Sequence, residues 1–299
     1  MNVLSREYTA TQAPYGVALP RRQIAPVVLA SPHSGQWYPP SFLAVTRLDP
    51  ISLRRSEDSF VDELFAGGPD LGVPLINALF ARAFVDANRE PFELDPEMYD
   101  DELPGYANAR SPRVAAGLGT IARTVANGQP IYRRRLKVHE ALSRIEACYR
   151  PYHDALRGLV EETRARFGTC LLVDCHSMPS NSMEAVRRGG KPVPSVDVVL
   201  GDAHGTSCSQ DLVACAEQTL TELGYRVYRN VPYAGGFTTR HYGRPAERLH
   251  ALQIELNRAL YMDENRIARS ARFKAVADDM SRLVAALAAA SRQIAADRR

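Results

Sequence analysis

Two short stretches each carry a histidine to the place where a strand gives way to a loop. The apolar run Val27-Val28-Leu29-Ala30 reads as a buried strand and leads into Ser31-Pro32-His33-Ser34-Gly35. Cys170-Leu171-Leu172-Val173 repeats the layout and runs into Asp174-Cys175-His176-Ser177-Met178. In open α/β sheets ligands sit outside the carboxyl ends of the strands, so two histidines placed there can converge although they are far apart in the chain. A lone histidine after a strand is more often a hydrogen-bonded structural residue; the repeated layout tips the balance towards a metal. A catalytic zinc takes about three nitrogen or oxygen ligands and keeps one position for water, so a carboxylate should complete the set. The stretch Ser56 to Phe65 offers Glu57, Asp58, Asp62 and Glu63. Its apolar residues Phe60, Val61, Leu64 and Phe65 have helical spacing, with Ser56 as a cap, which would put Asp58 in the first turn. Neither histidine segment has the HExxH spacing of helix-borne zinc sites.

Other stretches offer polar groups of a kind that binds substrate. Arg82-Ala83-Phe84-Val85-Asp86 reads as extended, with Arg82, Phe84, Asp86 and Asn88 on one side. The run Pro232 to Gly243 holds Gly235 and Gly236, which let backbone approach a ligand closely, and Thr238, Thr239 and Arg240, which supply donors. In Leu252-Gln253-Ile254-Glu255-Leu256-Asn257 the polar residues alternate and share one strand face, and stability alone poorly explains a carboxylate in its middle. His204, after the strand Val196 to Leu200, is a third possible ligand. His139 and His153 lie in a helical stretch from Arg135 to Phe167, continuous or broken at Pro151, and read as structural. Cys175 invites a nucleophile reading, but a thiolate's base usually comes from elsewhere in the fold, not from the next residue.

SPHSG at 31–35, SEDSFVDELF at 56–65, ARAFVDANR at 81–89, DCHSM at 174–178 and LQIEL at 252–256 together resemble the N-formylglutamate amidohydrolases, also called N-formylglutamate deformylases. That family is similar in fold and metal site to the zinc carboxypeptidases and aspartoacylase-type deacylases. The resemblance implies a divalent metal, zinc by preference, on His33, Asp58 and His176, with Asp58 favoured over its neighbours. It implies Glu255 as general base, Asn88 and Arg89 as the holders of a substrate carboxylate with help from Arg240, and Arg82 as a stabiliser of the oxyanion. The expected reaction is hydrolysis of N-formyl-L-glutamate to formate and L-glutamate, the last step of one route of histidine breakdown. Rival readings are a zinc amidase or carboxypeptidase acting on another N-acyl amino acid or a peptide, and a non-catalytic binding protein on the same fold.

The elements that must position these groups belong to an α/β fold, with a mostly parallel central sheet and helices on both faces, in one domain over 1–299. An arm is expected over 1–24, a loop insertion over 91–130 and amphipathic helices over 265–299, packed on the sheet or on a partner copy. Tyr106 and Arg110 in the insertion are reserve site residues. With 45% hydrophobic and 24% charged residues the chain has an ordinary globular composition, and no apolar run approaches the roughly 20 residues of a spanning helix. Dispersed basic residues and a net charge of +3 disfavour nucleic acid and leave room for a small acidic substrate. Five cysteines without tight pairing, and a polar start lacking a signal peptide, suit the cytoplasm.

Overall fold

The computed structural model describes residues 13–125, 128–182, 187–188, 191–192 and 195–296. Parts of the expected N-terminal arm, of the 91–130 insertion and of the polar loop 179–194 lie outside the described residues. The described residues form two compact units, one of 13–16, 32–59 and 77–155, the other of 17–31, 60–76 and 156–296.

Seven strands, β1 (Tyr15–Ala18), β2 (Val27–Ser31), β3 (Leu75–Ala78), β4 (Cys170–Met178), β5 (Val198–Gly201), β6 (Val227–Arg229) and β7 (Leu249–Asn257), make a mixed sheet in the order β1-β3-β2-β4-β7-β5-β6. β2, β4, β5, β6 and β7 lie wholly in the second unit. β4 pairs parallel with both β2 and β7, and β5 pairs parallel with β6 and antiparallel with β7. Every residue of β2, β4 and β7 is buried, which explains why their apolar runs are nearly continuous.

Period-two alternation gives β4 and β7 two unlike faces. Val173 and Cys175 of β4, and Leu252, Ile254 and Leu256 of β7, join an apolar core with the helices Gln210–Glu222 and Phe273–Ala296. The last helix contributes Val276, Met280, Leu283, Val284 and Leu287, a stripe at helical spacing. It begins at Phe273; Ala268–Arg269, expected within the helical stretch, instead pairs antiparallel with Met262–Asp263. The opposite face of β4 and β7 carries Asp174, His176, Gln253 and Glu255.

The first unit is mostly turns and short helices. Pro40–Val45 and Pro50–Arg54 each begin with proline, whose missing N–H costs nothing at a first helical position, and Asp49 caps the second by accepting from Ile51 N and Ser52 N. Phe42, Phe84 and Tyr132 surround the buried Arg144 guanidinium, which lies 4.7 Å from the Phe84 ring centre and donates to Phe84 O at 3.2 Å. The stretch expected as one helix or a broken pair is a helix Val138–Arg144, a π-helical turn Ile145–Tyr149 and a helix Arg150–Phe167. Pro151 lacks the N–H that an α-helix would donate four residues back, and the chain answers with a wider turn, not a break. Among the described residues no helix is long and apolar enough to cross a membrane.

Candidate functional site

In the first unit His33 stands two residues past β2, as expected. Gly35 beside it is required: a Cβ there would lie 2.2 Å from Phe80 O. His33 O accepts from Asp58 N at 3.0 Å, so the SPHSG backbone sets the place of the carboxylate. His33 Nδ1 is 3.4 Å from Asp58 Oδ2, and its Nε2 is 2.7 Å from Asp86 Oδ1. Arg82 spans the same two aspartates, with Nη2 2.8 Å from Asp86 Oδ2 and Nη1 3.7 Å from Asp58 Oδ1. The four side chains thus close a ring in which each cationic or imidazole group lies between two carboxylates.

Asp86 is the centre of this cluster. Its Oδ1 also accepts from Asn88 N at 2.8 Å, and Arg89 Nη2 lies 3.7 Å from Oδ2. Burial pushes the Asp86 carboxyl up, but Arg89, His33 and Arg82 together outweigh that and hold it well below the usual carboxylate range. Arg89 is itself anchored, donating from Nε to Leu118 O and from Nη1 to Asn88 O.

The extended reading of 82–86 is corrected: these residues form a turn, in which Arg82 and Asp86 meet across four residues. The alternation of ARAFVD mimics a strand, but its buried aromatic goes to the Arg144 cluster, Asp86 goes to His33, and Arg82 goes to Asp58 and Asp86. The helix expected from Asp58 is also shorter, Val61–Leu64, and Phe60, not Ser56, precedes it, at a positive φ of 68°. Asp58 therefore lies before the helix. Glu57 is otherwise engaged, since Tyr38 Oη, Arg54 Nε and Ser59 Oγ all donate to its carboxylate. Burial raises its pKa, and Arg54 and the donors oppose the rise. Glu63 pairs with Arg269.

In the second unit His176 is not beyond a strand end but inside β4, which runs on to Met178. The polar letters DCHS look like a strand end. They continue it because Asp174 and His176 face one side while Cys175 packs in the core. His176 sits opposite Glu255 in the register, and Asp174 opposite Gln253. His176 Nε2 is 2.9 Å from Asp174 Oδ1. Burial, with Asp174 adding to it, pushes the Cys175 thiol well above its usual range, against a nucleophile there.

The glycine-rich run is wired to β7. Gly236 N donates to Gln253 Oε1 at 2.7 Å, and Gln253 Nε2 donates to Glu255 Oε1 at 2.9 Å. Thr239 Oγ1 lies 3.4 Å from Gln253 Oε1 and 3.5 Å from Asp174 Oδ2. Gly235 has φ 126°, and a Cβ on it would strike Thr239 at 2.9 Å. Residues Phe237–Tyr242 are a short helix, in which Thr238 is buried and Arg240 exposed, its Nη1 donating to Gly235 O. His204 and His139 are exposed, and His153 Nε2 is 2.8 Å from Ala87 O. Asp86 and Gln253 carry more of the wiring than the sequence indicated. Both had a signal in apparent strand alternation, but nothing in the order of residues pairs Asp86 with His33, which comes from another segment.

A mixed sheet whose central strands β4 and β7 turn a buried imidazole, His176, and the carboxylates Asp174 and Glu255 to one face suits the acid–base chemistry of an α/β enzyme. The family model for N-formylglutamate amidohydrolase matches residues 25–262, and the chain belongs to that family of amide hydrolases. An N-formylglutamate deformylase of Pseudomonas putida is 33% identical over 214 residues, 69% of this chain and 71% of that protein. One of Pseudomonas aeruginosa is 29% identical over 247 residues, 82% and 85% of the two chains. The crystal structure of N-formylglutamate amidohydrolase from Ralstonia eutropha JMP134 has a TM-score of 0.88 at 39% identity, covering 94% of this chain and 99% of that one. The Atu2144 gene product of Agrobacterium tumefaciens, at 19% identity and a TM-score of 0.64 over 92% and 94% of the chains, shares the fold.

Proposed function

We propose that this enzyme hydrolyses N-formyl-L-glutamate to formate and L-glutamate with one divalent metal ion, zinc by preference, as the last step of a histidine-degradation route. Family membership supports the substrate. The observation that carries the metal is the close approach of two buried donors in the first unit, His33 Nδ1 and Asp58 Oδ2, and His176, buried within β4 of the second unit, is the third ligand of this proposal. Two imidazole nitrogens and one carboxylate oxygen suit a catalytic zinc that keeps a position open. The 3.4 Å between His33 Nδ1 and Asp58 Oδ2 is close to the separation, about 3.3 Å, of two ligands with bonds near 2.0 Å to a tetrahedral ion.

A metal so held supplies Lewis acidity to polarise the formyl carbonyl and to acidify a water. Glu255, braced by the Gln253 amide, is placed to take a proton from the attacking water and pass it to the leaving nitrogen, without which the amine could not depart at neutral pH. Asn88 and Arg89, with Arg240, bind the glutamate carboxylates, a task for which a guanidinium fork is shaped. Arg82 steadies the charge that develops on the carbonyl oxygen. Gly235, Gly236 and Thr238 shape the substrate side through the Gln253 link. Five cysteines, all present as free thiols, support a reducing, cytoplasmic setting.

The test is formate release by metal-depleted and zinc-restored enzyme, with N-formyl-L-glutamate, N-formylaspartate and N-acetylglutamate run in parallel. Zinc-dependent release with formylglutamate preferred is the expected result. Stoichiometric zinc with formylglutamate untouched would overturn the substrate, and full activity without any metal would overturn the metal.

A further inference from the structure

We propose that Gln253 is the positioning residue for Glu255, and that its amide takes its own direction from the main chain of the Gly235-Gly236 run. This rests on the reading of Glu255 as the proton carrier. Gln253 and Glu255 lie two residues apart in β7, and both are buried. Pleating sends the two side chains to one face, but the last torsion of a glutamine or glutamate is broad and is settled by its partners. Gln253 Oε1 accepts the Gly236 N–H at 2.7 Å, and Gln253 Nε2 donates to Glu255 Oε1 at 2.9 Å. An amide turned over would set its NH2 against the Gly236 N–H and its oxygen against a carboxylate, leaving buried donors and acceptors facing their own kind. The main-chain donor therefore decides which end of the amide Glu255 meets. Gly236 is placed in turn by Gly235, whose φ of 126° favours glycine, and by the helix Phe237–Tyr242 that starts directly after it. Thr239 Oγ1 of that helix lies 3.4 Å from the same Gln253 oxygen. The Gly236 N–H is thus already given to Gln253, and the glycine run acts on the base through it. A purely structural glutamine would lower stability and leave kcat of the folded protein unchanged; a positioning one lowers kcat only while Glu255 is there to be positioned.

The experiment measures kcat and KM of zinc-restored wild type, Gln253→Met, Gln253→Asn, Gly235→Ala and Glu255→Gln, and of Gln253→Met combined with each of the last two, and reads the Glu255 rotamer from crystals of Gln253→Met. Methionine has a similar length and neither bond, and a reacting group misplaced by about 1 Å can cost about 100-fold, so Gln253→Met should lose about 10- to 100-fold in kcat with a smaller change in KM. Added to Glu255→Gln it should cost nothing further. Gly235→Ala, whose Cβ would strike Thr239 at 2.9 Å, should lower kcat when Gln253 is present and not in Gln253→Met. An undiminished kcat in Gln253→Met, or the same loss with and without Glu255, overturns the positioning role, and an equal effect of Gly235→Ala in both backgrounds overturns the part given to the main chain. Should Gln253→Met not fold, wild-type kcat in Gln253→Asn, whose amide is one carbon too short to close both bonds, does the same as an undiminished kcat. If Glu255→Gln turns over normally, the proton-carrier reading falls by itself, and the crystals still decide the role of Gln253: a Glu255 side chain that keeps its wild-type torsions beside Met overturns it, and one that has turned away supports it.

Discussion

The two histidines are held by different means. His176 lies within a nine-residue strand, and its direction follows from main-chain geometry: its neighbour Cys175 packs in the apolar core, and parallel pairing sets it opposite Glu255. His33 lies in irregular backbone, and its direction follows from side chains, Asp86 on one nitrogen and Asp58 on the other. A ladder shares its strain over many hydrogen bonds, while the His33 cluster depends on single groups. Strand-borne chemistry should therefore survive packing changes that leave the ladder intact, and turn-borne chemistry should fail at one substitution.

The sharpest break of the strand side is Glu255→Gln, which keeps shape and removes the proposed proton carrier. We expect kcat to fall by about 10²- to 10⁴-fold with zinc content unchanged; near-normal turnover in a steady-state assay would remove Glu255 from its role. The opposite face of the same strand offers the control. Ile254 is fully buried in the apolar core, so Ile254→Ala should cost about 2–5 kcal/mol in urea unfolding while kcat of the folded protein stays near wild type. If kcat collapses with it, the two faces are not separable.

On the turn side, Tyr38→Phe deletes the 2.6 Å donor to Glu57, the residue next to Asp58. A buried carboxylate short of a donor costs about 1–3 kcal/mol, read by thermal or urea unfolding. The smallest effect is at His250. Burial, and then Arg248, holds its pKa below 6.5, and Nδ1 accepts from Ser209 N at 3.3 Å. The folded chain favours the neutral ring, so the stabilisation is complete above pH 6.5 and is lost as pH falls towards the folded value, where the unfolded chain takes up the proton first. His250→Gln should flatten the stability profile on the acid side of pH 6.5; an unchanged slope would assign the acid loss to other groups.

The same division explains what could be read from the amino-acid order. Gln253, Glu255 and Asn257 on one face of a strand, His33 just beyond β2, and the paired helices over the core follow from local periodicity, which the backbone obeys whatever surrounds it. Asp58 could not be told from Glu57 by pattern, because the difference lies in Tyr38, Arg54 and Ser59 engaging the latter. The segment 82–86 alternates like a strand, and only its partners, Arg144 for Phe84 and His33 for Asp86, make it a turn. His176 was placed past a strand end because polar residues usually end buried strands; the polar face of β7 beside it is what lets β4 continue.

The π-helical turn Ile145–Tyr149 has a consequence for insertions and deletions. Before it, Arg144 grips Phe84; at its last residue Tyr149 Oη donates to Arg89 O at 2.7 Å, and one turn on His153 contacts Ala87 O. Both grips close on the single turn that carries Arg82, Asp86 and Asn88, and the angle between them depends on one surplus residue. Since each helical residue advances the chain by about 100°, deleting one residue within 145–148 would swing one grip away from the other without altering any side chain that performs them. Among homologous chains, lengths should drift freely elsewhere on the surface and stay locked to the residue here, so that this helix works as a vernier for the turn it clasps.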